Sequence, residues 1–69
     1  MTQIYYGAPK VCNICDEKFG EMMYDFKTSD GRWACACSPC FFLDGGRLGT
    51  GFGQKYTKNG DNRWEKIDG

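Results

Sequence analysis

Two Cys-x-x-Cys pairs, Cys12/Cys15 and Cys37/Cys40, are separated by 21 residues in a chain of 69. A two-residue gap lets both sulfurs of a pair converge on one tetrahedral ion while backbone N–H groups point at the thiolates. The separation slightly exceeds the roughly 15–20 residues of the simplest four-cysteine template, and a hairpin between the pairs accounts for the excess. The pattern predicts one structural zinc ion held by Cys12, Cys15, Cys37 and Cys40. Disulfides or free thiols are the competing fates, and compartment decides among them.

The opening MTQIYYGAPK has no charged stretch followed by an apolar one, and no apolar run approaches the roughly 20 residues of a membrane span. The expectation is a cytoplasmic, reducing setting with no membrane partner. There, paired cysteines act as metal ligands, and an odd count of five fits an all-disulfide scheme badly. Size points the same way, because below roughly 70–80 residues an apolar core rarely contributes more than about 3–5 kcal/mol and a cross-link is expected. Ten glycines weaken such a core, and five Phe, four Tyr and two Trp partly compensate.

The chain reads as one zinc-binding α+β domain over residues 1–69, with a zinc lobe at about 11–44 and a glycine-rich loop and C-terminal hairpin at 45–69. QIYYG reads as a short strand closed by Gly7 and Pro9. VCNICDEKFG is a tight knuckle. A hairpin follows, with arms from Glu21 to Lys27 and Arg32 to Ala36 and its bend at Ser29-Asp30-Gly31. Met22, Tyr24 and Phe26 fall on one face of the first arm, and Trp33 and Cys35 share a face of the second. In SPCFFLDGG, Ser38 is placed to cap a short helix, Pro39 suits its first position, and Gly45 or Gly46 supplies the left-handed end. KYTKNGDNRWEKI then reads as a second hairpin turning at Asn59-Gly60.

A knuckle with two ligands, a hairpin, and a helix whose first turn carries two more make the segment from Val11 to Asp44 resemble a treble-clef zinc finger. The zinc ribbon is the alternative, since it uses similar spacing but sets its second pair on another hairpin knuckle. Pro39 and the run Phe41-Phe42-Leu43 favour the helix.

The run from Gly31 to Tyr56 is also similar to a group of small, uncharacterised tailed-bacteriophage proteins, a resemblance put at about two thirds of the chain. Those proteins carry a Cys-x-x-Cys, a Trp shortly before a second Cys-x-x-Cys, and a Gly-Leu-Gly-Thr-Gly-x-Gly-Gln-x-Tyr stretch. The matching residues here are Trp33, Cys37, Cys40 and Leu48 to Tyr56. Arg47 before the leucine and the extra Cys35 depart from the pattern. The resemblance implies a phage origin, and with it a host-cell cytoplasm, but no mechanism.

Cys35 lies two residues before Cys37, so an extended arm would put both on one face. Its plain reading is a small buried hydrophobe beside the zinc, with a spare ligand or a reactive thiol as the alternatives. Histidine is absent, which removes the common acid–base pairs and the His-containing open zinc sites. Asp16 and Glu17 are adjacent on the knuckle, where such residues face solvent. The expectation is a non-catalytic module with no small-molecule substrate.

Nine Lys+Arg balance nine Asp+Glu, which argues against a strongly basic nucleic-acid binder. Gly45 to Lys58 is a local exception: Arg47, Lys55 and Lys58 stand among Phe52 and Tyr56 with no acid, a composition suited to phosphate contact and base stacking. The plain reading is that its glycines thread a tight loop while Leu48, Phe52 and Tyr56 fill the core. Trp64 likewise reads as core, or, if exposed, as an anchor for a protein partner. Two functions therefore stay open: an adaptor or inhibitor docking on a protein of host or phage nucleic-acid machinery, and direct nucleic-acid binding through Arg47, Phe52, Lys55, Tyr56 and Lys58.

Overall fold

A computed structural model describes residues 3–60 and 63–69. Five strands, β1 (Ile4–Tyr6), β2 (Met22–Lys27), β3 (Trp33–Ala36), β4 (Gly53–Lys58) and β5 (Arg63–Asp68), and one helix, α1 (Ser38–Leu43), follow in that order except that α1 lies between β3 and β4. The strands form one antiparallel sheet ordered β1-β5-β4-β2-β3. Both hairpins lie where the Asp-Gly and Asn-Gly signals place them, and β4 pairs with β2, so the second hairpin extends the sheet of the first. Residues 61 and 62, which follow Asn59 and Gly60 in sequence, lie outside the described residues.

The sheet buries side chains on both faces, because β2 is an interior strand and its residues alternate between them. On one face Tyr24, Phe26 and Ala36 pack with Phe41 of α1 and with Cys12; Met22 and Leu48 border the cluster. Phe41 carries much of this contact, stacking on Tyr24 at a centroid distance of 4.0 Å and meeting Phe26 edge-on at 5.0 Å. On the other face Met23, Cys35, Tyr56 and Trp64 pack with Ala8, bordered by Tyr5 and Phe19. Each face is thus covered by a different segment: α1 on one, the chain entering and leaving the knuckle on the other.

The helix starts one residue earlier than a Ser38 cap requires. Cys37 is the N-cap residue in extended conformation, Ser38 is already helical, and no side chain caps the start. The Cys37 carbonyl instead accepts the Phe41 N–H at 3.0 Å. The helix end follows the expectation: Gly45 has φ +74°, its N–H donates to the Phe42 carbonyl and that of Gly46 to the Phe41 carbonyl. Gly46 then passes so close to the Phe41 ring that a Cβ there would overlap it.

Candidate metal centre

The knuckle is a turn closed on itself. Val11 bridges Lys18, the Cys12 N–H donates to the Glu17 carbonyl at 2.8 Å, and the Asp16 N–H donates to the Cys12 carbonyl at 3.0 Å. Asp16 takes φ +63° to complete the turn, a conformation that Asp tolerates better than most residues. Asp16 and Glu17 are both exposed, as expected. Asn13 fastens the knuckle to the outer edge of β3: its N–H donates to the Cys35 carbonyl and its Oδ1 accepts the Cys35 N–H, both at 2.9 Å. Because β3 leads directly into α1, this places Cys12 and Cys15 against Cys37 at the helix cap and Cys40 in its first turn.

The four sulfurs lie within 4.8 Å of one another, and Cys15 Sγ is 3.7 Å from Cys37 Sγ. Four sulfurs at about 2.3 Å from a tetrahedral ion are separated by about 3.8 Å, so the cluster has the dimensions of such a site. The Ile14 N–H donates to Cys12 Sγ at 3.3 Å, as a thiolate requires. Cys12, Cys15, Cys37 and Cys40 could therefore hold one metal ion, and four sulfur donors in this arrangement select zinc or iron over oxygen-seeking cations.

The thiols are not equivalent. Burial works against ionisation of Cys12, but N–H groups of Cys15, Cys37 and Ile14 overcome it and bring this thiol down to about 6. Cys40 is pushed well up, by burial first and then by the neighbouring sulfurs of Cys15, Cys37 and Cys12. For Cys15 the largest influence, the backbone at Glu17, is downward, yet burial and the sulfurs of Cys12 and Cys37 outweigh it and the thiol is raised. Cys12 therefore ionises most readily, while Cys15 and Cys40 favour their protonated forms until a cation replaces the protons.

Cys35 is not part of this cluster. The strand ends at Ala36 and the chain turns at Cys37, so the shared face expected for Cys35 and Cys37 does not form. Cys35 is buried among Met23, Tyr56 and Trp64, with the Tyr5 hydroxyl 3.8 Å from its sulfur, and burial raises its pKa. It is the small buried hydrophobe of the plain reading, located in the other core.

The six residues expected to meet a partner do not share a surface. Tyr56 and Trp64 are core residues, 7% and 6% exposed, because their strand positions point at Met23 and Cys35, in line with the plain reading of both. Phe52 has the opposite fate: it is half exposed rather than core, under the Arg47 guanidinium at 5.9 Å from the ring centroid. Lys55 lies over Tyr24 on the face that carries α1, with Nζ 5.8 Å from the ring. Lys58 pairs with Trp64 on the other face. Sequence reasoning overlooked Asn13, for which a lone asparagine in a knuckle gives no signal, and the apolar surface beside the cysteines. There Met22, Pro39 and Leu43 line a groove of about 580 Å³ next to Cys15 and Cys40, together with Glu17, Lys18 and Glu21.

No protein-family model matches the chain, and no curated protein or solved structure is significantly similar to it. None of the helices among the described residues is long and apolar enough to cross a membrane.

Proposed function

We propose that this chain is a non-catalytic, zinc-stabilised module of treble-clef type that docks on a protein through the apolar surface beside its metal centre. Zinc would join the knuckle to the helix and contribute folding energy without reacting, since four protein sulfurs leave no open coordination position. The order of knuckle, hairpin and helix, with the second cysteine pair at the helix start, supports the treble-clef assignment over the ribbon. The resemblance to tailed-phage proteins supports a phage origin, and the proposed target is a protein of host or phage nucleic-acid machinery.

The observation that carries the docking role is the end of α1. Leu43, 87% exposed, lines the Met22–Pro39 groove, and its chain neighbour Phe42 is 69% exposed. A hydrophobic side chain that open beside an apolar groove contributes little to the fold and suits a partner's anchor. Glu17 and Glu21 outnumber Lys18 in the groove's lining, which favours a segment with basic residues flanking its apolar contacts. Random-peptide display against the zinc-loaded protein tests this. It should enrich peptides with apolar anchors and Lys or Arg, and Leu43→Asp should abolish their capture while leaving the melting transition unchanged. No enrichment, or capture insensitive to Leu43→Asp, rejects the reading.

A further inference from the structure

The opposite side of the knuckle carries a surface of different chemistry. Lys10 before the knuckle, Lys18 after it and Lys58 at the end of β4 border one cleft of about 430 Å³. Its floor is apolar, made by Pro9, Val11, Phe19 and Trp64. Phe19 and Trp64 meet edge-to-face at 5.7 Å, which fixes the half-buried Phe19 ring. Among the described residues no acidic side chain lines the cleft, and none of the three lysines forms an ion pair. In a chain of zero formal net charge, three of nine cations thus converge from segments far apart in sequence on one concavity.

We propose that this cleft binds a segment of single-stranded nucleic acid, with successive backbone phosphates on Lys10, Lys18 and Lys58 and one base against Phe19 and Pro9. Two features favour this ligand over an acidic peptide. Lysine ammonium groups are flexible point charges that neutralise phosphate without the bidentate geometry a carboxylate rewards with Arg. The apolar floor gives a flat base a face to cover, and the volume falls within the range of pockets that hold small ligands. The assignment goes beyond protein docking and does not depend on it, because the cleft shares only Lys18 with the groove lined by Leu43. It also moves the nucleic-acid site: of the residues singled out in the glycine-rich segment only Lys58 takes part, joined by Lys10, Lys18 and Phe19.

The test is fluorescence anisotropy with a labelled oligothymidylate and the zinc-loaded full chain. Binding at low salt should weaken with a log–log slope of about −2, as three phosphate contacts at roughly 0.7 each require. Lys10→Gln and Lys58→Gln should each make the slope shallower by about 0.7, while Lys55→Gln, on the other face, leaves it unchanged. Phe19→Leu should weaken binding about five-fold or more at constant slope, since it removes stacking and no charge. Zinc content and melting temperature verify that each variant is folded. No binding at low salt overturns the proposal, as does equal loss in Lys55→Gln. Displacement of the oligonucleotide by poly-glutamate or by inorganic phosphate as effectively as by unlabelled oligonucleotide also overturns it, assigning the cleft to an acidic peptide or to free phosphate.

Discussion

Asn13 grips the edge of β3 at both polar groups of Cys35, giving a hydrogen bond from its N–H and accepting one at its Oδ1, each 2.9 Å long. This pair holds the first ligand turn against the strand that delivers the second. Replacing Asn13 by Ala leaves the partly buried Cys35 N–H without its acceptor, which costs about 1–3 kcal/mol. Asn13→Ala should lower the melting temperature and weaken zinc retention against a chelator, and Asn13→Asp, which keeps an acceptor, should restore most of both. An Ala variant indistinguishable from the parent contradicts this role.

Cys35 and Cys37 are two residues apart yet belong to different cores, so their substitutions should part company. Cys35→Ala should keep one zinc per chain and cost about 1 kcal/mol, whereas Cys37→Ala should lose the metal and the fold with it. The Cys35 sulfur is also the largest cause, ahead of burial, that pushes Tyr5 up to about 12 from its ordinary 10.0. A raised tyrosine pKa means that the folded state favours the protonated phenol. Its contribution to stability is complete below pH 10 and lost as pH rises through about 12. In Cys35→Ala an absorbance titration should show one phenol returning toward its ordinary range. Equal zinc loss in both variants would mean that the ligands are wrongly assigned.

At the helix end, neighbouring positions have opposite sensitivities. Gly46→Ala drives a methyl into the Phe41 ring and should cost about 1–3 kcal/mol by overpacking. Leu43→Ala, at a position 87% exposed, should change the free energy of unfolding by no more than about 0.5 kcal/mol. Urea unfolding of the two variants decides it.

Much of this architecture was legible because its signals are local. The cysteine spacing, the Asp-Gly and Asn-Gly bends and the glycine after Asp44 each specify a conformation from a few adjacent residues. The helix cap was misplaced by one residue because both Cys37 and Ser38 precede Pro39, and nothing local says which is extended. What could not be read depends on strand order. Lys10, Lys18 and Lys58 share a cleft only because β4 lies between β2 and β5, and Phe52 escapes the core because the turn at Gly49 through Gly53 carries it outward. Tyr56 and Trp64 look the same in sequence whether they face a partner or Met23, and the sheet register settles that.

Acid should release the metal. The folded Cys12 thiol lies at about 6, below its ordinary 9.0, so its contribution is present above pH 9 and lost as pH falls through about 6. Cys15 and Cys40 are shifted upward and hold their protons near neutrality, so zinc must displace at least these two. Affinity should therefore fall by about 100-fold or more per pH unit between pH 8 and 6 and more steeply below, as competition with a chromogenic chelator would record. An affinity constant across that range contradicts thiolate ligation.

Native mass spectrometry, paired with a melting curve before and after chelation, decides whether a zinc ion holds this fold together. One zinc per chain should be bound at about 10–16 kcal/mol, with the cooperative transition vanishing when a chelator removes it. A chain that carries iron, carries no metal, has Cys12, Cys15, Cys37 and Cys40 in disulfides, or keeps its transition after chelation would contradict it.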